Sequence, residues 1–143
     1  MKQGERSLDF FLRLAKAHAG VTRRFDGQLG ALHGLSFGDF SVLLYLSRAP
    51  NGKLRRVDLA RELRLTQSAV TRMLIPLEKI GLVDREQDER DARVGYAVLT
   101  KAGQRVLKES LETAELICQE AIPSDTTARL GALSEALTQL GGD

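Results

Sequence analysis

Apolar residues recur along most of the chain at helical spacing, with one alternating stretch near residue 95. In residues 7–29, Leu8, Phe11, Leu12, Ala15, Ala19, Thr22, Phe25 and Leu29 form one stripe with a 3.6-residue period, and Phe10, Leu14, Ala17 and Val21 form a second beside it. So wide an apolar surface predicts a helix that touches two bodies. Ser36 has the form of an N-cap, with Asp39 in the first turn of the helix it starts. Phe37, Phe40, Val42, Leu43, Leu44 and Leu46 make that helix apolar nearly all round, so its expected place is the centre of the fold.

Pro50-Asn51-Gly52 is a turn signal, followed by a short strand at residues 54–56 and a short helix at 57–64. Thr66 N-caps a third helix to about residue 80, with Ala69, Val70, Met73, Leu74 and Leu77 inward and Gly81 as its stop. Two short helices joined by a tight turn make a helix-turn-helix. Residues 82–85 and 94–99 then read as a β-hairpin around a charged loop, residues 86–93, too long for a tight turn and therefore a projecting arm. Thr100 N-caps a long helix over residues 101–121. Pro123 breaks the chain, and Ser124 or Asp125 starts a last helix with Leu130, Leu133, Leu137 and Leu140 on one seam. The expected fold is mainly α with a small β-hairpin, a winged helix-turn-helix over residues 36–100 within a single domain spanning 1–143.

Composition narrows the class. At 143 residues, with 43% apolar and 28% charged, the chain matches an ordinary soluble globular domain. No apolar stretch has the roughly 18–20 residues a membrane span needs, and the N-terminus lacks a signal-peptide core, so the expected location is cytoplasmic, with no membrane partner. Cys118 stands alone, which excludes an intramolecular disulfide and a cysteine-rich zinc site. Net charge is only +2, but residues 48–105 hold thirteen basic and eight acidic side chains, +5, while the two ends hold eight and eleven, −3. A basic middle between acidic ends fits a polyanion-binding surface; a chance fluctuation in a well-charged protein fits it too.

In a winged helix the second helix of the motif enters the DNA major groove. Gln67, Ser68, Thr71 and Arg72 share the outer face of its start, and that face carries no acid before Glu78. Gln pairs with adenine, Arg with guanine, and Ser or Thr reaches a base edge or phosphate. Lys53, Arg55 and Arg56 are candidate phosphate contacts. In the arm, Asp91 and Arg93 lie two residues apart, on one side of extended backbone, where the carboxylate would orient the guanidinium for a narrow minor groove. Arg90 would reach the same groove or a phosphate. Against this, Asp88, Glu89 and Asp91 would repel phosphates if they faced them, and a solvated charged turn fits the same letters.

Residues 65–103 resemble the winged-helix core of the MarR (multiple antibiotic resistance regulator) family. The motifs are Leu65-Thr66-x-Ser68-x-Val70-Thr71-Arg72, Leu77-Glu78-x-x-Gly81-Leu82-Val83, Asp91-x-Arg93 and Leu99-Thr100-x-x-Gly103. The resemblance implies a homodimer built from the N- and C-terminal helices, repression of nearby genes, and release of double-stranded DNA on binding a small molecule or on oxidation. The apolar stripes independently favour pairing through residues 7–29 and 101–143, although helices that merely thicken a monomer core would carry similar stripes. In the family, aromatic or phenolic ligands bind between the dimer helices and the winged domain. Phe10, His18, His33, Phe37 and Phe40 are candidates for such a pocket; the phenylalanines also fit a plain core and the histidines ordinary structural roles.

Two departures stand out. Pro76 lies inside the recognition helix and is expected to kink it, at a cost of about 3 kcal/mol unless packing compensates. The first helix has no cysteine like that of the family's peroxide sensors, and Cys118, on the apolar side of a late helix, reads as buried packing. Two histidines, one cysteine and no glycine-rich phosphate loop form no catalytic set, so no enzyme, metal site or cofactor is expected. The alternative to a DNA-binding regulator is a winged helix used as a protein-interaction module without DNA readout.

Overall fold

In the computed structural model, which describes residues 1–142, the first helix, α1 (Gln3–His33), runs four residues past each predicted end. None of the added residues is buried, Leu32 included; the start is held by Glu5, which accepts from the Lys2 N–H at 2.8 Å. Gly34 stops the helix in the left-handed region, φ 69°, where glycine has no Cβ penalty. Helix α2 (Phe37–Arg48) starts in a reciprocal cap. Ser36 Oγ accepts from the Asp39 N–H and the Asp39 carboxylate accepts from the Ser36 N–H, both at 3.0 Å. Its Phe40, Val42, Leu43 and Leu46 are buried, as the all-round apolar pattern requires.

A turn at Pro50–Gly52 leads to β1 (Lys53–Arg55), α3 (Arg56–Leu63) and α4 (Gln67–Lys79). Thr66 Oγ1 caps α4 by accepting from the Ala69 N–H at 3.1 Å. Pro76 does not break α4, which stays helical to Lys79. The proline removes only the bond to the Arg72 carbonyl, and the helix end is secured beyond it. The Gly81 N–H donates to Glu78 O at 3.1 Å and the Leu82 N–H to Leu77 O at 2.9 Å, with Gly81 at φ 79°.

The strands β2 (Val83–Gln87) and β3 (Gly95–Leu99) form the hairpin, and β1 adds to β3, so the antiparallel order is β1-β3-β2. The register pairs Val83 with Leu99, Gln87 with Gly95, and Arg55 with Tyr96. β2 continues to Gln87, leaving residues 88–94 as the wing loop, shorter than expected. Beyond Val83 this edge strand is exposed, so its charged residues carry no alternating apolar pattern.

Helix α5 (Lys101–Ala121) begins at Thr100, whose Oγ1 accepts from the Gly103 N–H at 3.0 Å and donates to Gly81 O at 2.6 Å. Leu107, Ala114 and Ile117 of α5 join Phe25 and Leu29 of α1, the apolar face of α2, and Val70, Leu74 and Leu77 of α4 in one core. Cys118 is exposed in this chain, contrary to expectation. It lies about 100° round the helix from Ile117, which fills the core instead. The last helix is divided into α6 (Ser124–Thr127) and α7 (Leu130–Gly141). Among the described residues, no single helix is long and apolar enough to cross a membrane.

Candidate nucleic-acid interface

The amphipathic pattern of α4 sets its own orientation. Val70, Leu74 and Leu77 bury one side, which turns Gln67, Ser68 and Arg72 to solvent and leaves Thr71 half-buried at the margin. The first acid on the helix, Glu78, is drawn aside: both of its carboxylate oxygens accept from Arg85 Nε of β2 at 3.0 Å. The bridge ties the end of α4 to the wing and removes a carboxylate from the reading face.

Two of the three wing acids, Asp88 and Asp91, are engaged in a similar way. Asp88 Oδ1 accepts from the N–H groups of Arg90 and Asp91 at 2.8 and 3.1 Å, and Oδ2 accepts from the Tyr96 hydroxyl at 3.2 Å. These bonds, led by the Arg90 N–H, hold the Asp88 carboxyl below its ordinary pKa. Asp91 accepts from Arg93 through the backbone N–H at 3.0 Å and through Nε and Nη2 at 3.1 and 3.3 Å. The Arg93 side chain lowers the Asp91 pKa most, yet is itself 91% exposed. The expected repulsion from Asp88 and Asp91 is thus offset: one carboxylate shapes the loop and the other orients the arginine. The sequence signal for Asp88 was its acceptor position two residues ahead of the Arg90 N–H, an Asx-turn spacing. Replacing Asp88 by alanine is expected to unfasten residues 88–94 without unfolding the core, read as faster proteolytic cleavage in the wing at an unchanged Tm.

The three phosphate candidates part ways. Lys53 Nζ lies 2.8 Å from Glu86 and 4.8 Å from the Tyr96 ring centroid, and its pKa is raised chiefly by the Glu86 bond. Arg55 Nε donates to Asp58 at 2.9 Å, a bond that raises its pKa. Arg56 has no carboxylate partner among the described residues. Arg55, Arg56, Val57, Gln67, Arg93, Val94 and Gly95 line an open cleft of about 150 Å³ between the start of α4 and the wing, with no acid in its wall. Lys53 and Arg90 face a separate depression together with Glu86, Asp88 and Glu89.

The proposed ligand set does not converge within one chain. Phe10 lies half-exposed against Phe11, ring centroids 5.8 Å apart, and His18 is exposed. Phe37 stacks on Phe25 at 4.5 Å and Phe40 belongs to the core. Fifteen helical residues, about 22 Å, separate Phe10 from Phe25. His33 Nε2 lies 2.7 Å from Thr113 Oγ1, linking α1 to α5.

A model described as MarR family matches residues 35–94. The crystal structure of the transcriptional regulator BldR from Sulfolobus solfataricus is 30% identical, covers 97% of this chain and 99% of that one, and superposes with a TM-score of 0.84. The chain belongs to the MarR family. The HTH-type transcriptional repressor YetL of Bacillus subtilis is 30% identical over 109 residues, 73% of this chain and 62% of YetL, so the match spans less than two thirds of that relative. A mutant MarR from E. coli complexed with operator DNA shares the fold, with 21% identity, a TM-score of 0.79 and coverage of 96% and 99%. The MarR-family match runs from the start of α2 through the wing loop and stops before β3, and the likeness to the BldR structure covers β3 and the flanking helices as well.

Proposed function

We propose that this chain is a homodimeric, DNA-binding transcriptional regulator, a repressor released from a palindromic operator by a small aromatic or phenolic molecule. The acid-free face of α4, set across a basic cleft from an arginine that Asp91 holds outward, supports this reading most. Gln67, Ser68, Thr71 and Arg72 read the major groove, Arg90 and Arg93 the minor groove or its phosphates, and Arg55 and Arg56 the backbone. The operator complex of the E. coli MarR, which shares the fold, agrees with it.

Pairing is supported by what one chain leaves uncovered. Leu8, Leu12, Leu116, Leu133 and Leu137, on α1, α5 and α7, are 45–62% exposed, an apolar surface of the kind a second copy buries. A two-fold pair sets two recognition helices about 34 Å apart, one DNA turn. The effector would then lie between the dimer helices and the winged domain, where the partner completes a wall that the scattered Phe10, His18, His33 and Phe37 do not close alone. No cofactor is required, and the site of action is the cytoplasm.

Footprinting on the DNA upstream of its own gene tests the proposal. The expected result is protection of a palindrome, with affinity falling steeply in salt, about −0.9 in log–log slope per neutralised phosphate. Arg72→Ala is expected to weaken binding about tenfold or more and to flatten sequence preference. Failure to retain any duplex at low salt would overturn the reading in favour of a protein-interaction module.

A further inference from the structure

Gly95 is the first residue of β3, at the foot of the wing, and its backbone is not in the left-handed region. What its missing side chain provides is space. A Cβ built there would lie 2.5 Å from Arg56 Nη2, 3.1 Å from Cζ and 3.2 Å from Nε, so the guanidinium packs against the glycine where alanine would displace it. Arg56 is half-buried in this position. Its neighbours Lys53, Arg55, Arg61, Arg85 and Arg93 all pair with carboxylates, and it alone of this group does not among the described residues. Arg56 and Gly95 border two depressions. One is shared with Arg85, Glu86, Gln87 and Tyr96, and its Glu86 is paired with Lys53. The second is the cleft whose other polar walls are Arg55, Gln67 and Arg93, where an arginine without a carboxylate partner makes a site prepared for an anion.

We infer that this cleft seats one backbone phosphate of the DNA, that Arg56 anchors it, and that Gly95 is the positioning residue that admits Arg56 to the cleft. The proposal rests on the DNA-binding reading above and adds the phosphate's location and the device that builds its seat. Gln67 of α4 and Arg93 of the wing line the same cleft as Arg56, so a phosphate seated there would lie beside both readers. Because the atoms met by a new Cβ belong to the far end of a flexible side chain, Gly95→Ala moves the guanidinium rather than the backbone. The fold tolerates the change while the site does not.

The experiment is a titration of wild type, Arg56→Ala, Gly95→Ala and the double variant with a fluorescent random-sequence duplex, followed by anisotropy over a series of salt concentrations. Thermal melting of each variant runs in parallel. Arg56→Ala is expected to weaken binding about tenfold and to flatten the log–log salt slope by about 0.9 for each protomer in contact. Gly95→Ala is expected to reproduce much of both effects at an unchanged Tm, and to add nothing in the Arg56→Ala background. An unchanged slope in Arg56→Ala, or effects of the two substitutions that simply add, overturns the inference while DNA binding by the wild type stands. A wild type that fails to bind the duplex overturns the DNA reading and this inference together. If Gly95→Ala melts early, the slope of Arg56→Ala still decides the phosphate seat, and the Tm loss overturns the positioning role.

Discussion

Gly103→Ala is expected to destabilise the protein by about 2 kcal/mol, although alanine is the better helix former. The N–H of Gly103 donates to the Thr100 cap at the first turn of α5, and a Cβ there would collide with the carbonyl oxygen of Leu82. It would also lie 2.7 Å from Leu99 Cδ1. Leu82 has little freedom to withdraw: its N–H closes the end of α4 on Leu77 O, and its carbonyl accepts from the Thr100 N–H at 3.2 Å. Helix propensity favours alanine by at most about 1 kcal/mol. Overpacking against fixed backbone costs up to about 3 kcal/mol, so the clash wins. Thermal denaturation at one fixed protein concentration checks this, since a dimer's Tm depends on concentration. A loss below about 0.5 kcal/mol would sink the idea that this joint between recognition helix, wing and α5 is sterically locked. The same joint ties any movement of α5 to the wing and the end of α4.

The second large effect is expected at the tip of the wing. Arg93→Ala should weaken operator binding by about 10- to 100-fold, the range for losing charge-assisted hydrogen bonds in a groove, with no loss of Tm because the side chain is 91% exposed. Arg93→Lys should restore only part of it, because an ammonium keeps the charge but not the planar fork that grips Asp91 through Nε and Nη2. Equal affinity of Arg93→Ala and wild type would remove the wing from the interface. The pH dependence has a definite sign. The Asp91 carboxyl is held below its ordinary 3.8, so the pair is fully formed above that value and is lost as pH falls through the lower folded value. Wing orientation is therefore insensitive to pH across the neutral range.

Local signals proved reliable where the physics is local. Ser36, Thr66 and Thr100 each cap the helix their position announced, because a short oxygen-bearing side chain reaches N–H groups three residues away whatever else the chain does. Gly81 marks the end of α4 for a different local reason: at φ 79° a residue without a Cβ is unstrained. The boundaries that slipped lie in segments that bury no side chain: both ends of α1, the exposed run of β2 to Gln87, and the break between α6 and α7. Cys118 was misplaced because a stripe drawn on a wheel blurs neighbours 100° apart, and only the packing of Ile117 shows where the core stops.

For the site, the residue types and their spacing already contained the reading helix and the Asp91–Arg93 pair, since both depend on one short segment's periodicity. Three things were decided by tertiary structure. Glu78 is drawn from the reading face because Arg85 arrives from β2, and Asp88, already fastened locally by the Arg90 and Asp91 N–H groups, gains the Tyr96 hydroxyl from β3. Arg56 enters a cleft with Gln67 and Arg93 because β3 brings Gly95 against it, a contact between residues far apart in the chain. The aromatic residues of the first third, neighbours in sequence, are distributed along a long helix and into the core. Period and cap chemistry determine which elements form and which face each one buries; whether a charge meets a partner or is left to seek an anion depends on long-range approach, which no local pattern encodes.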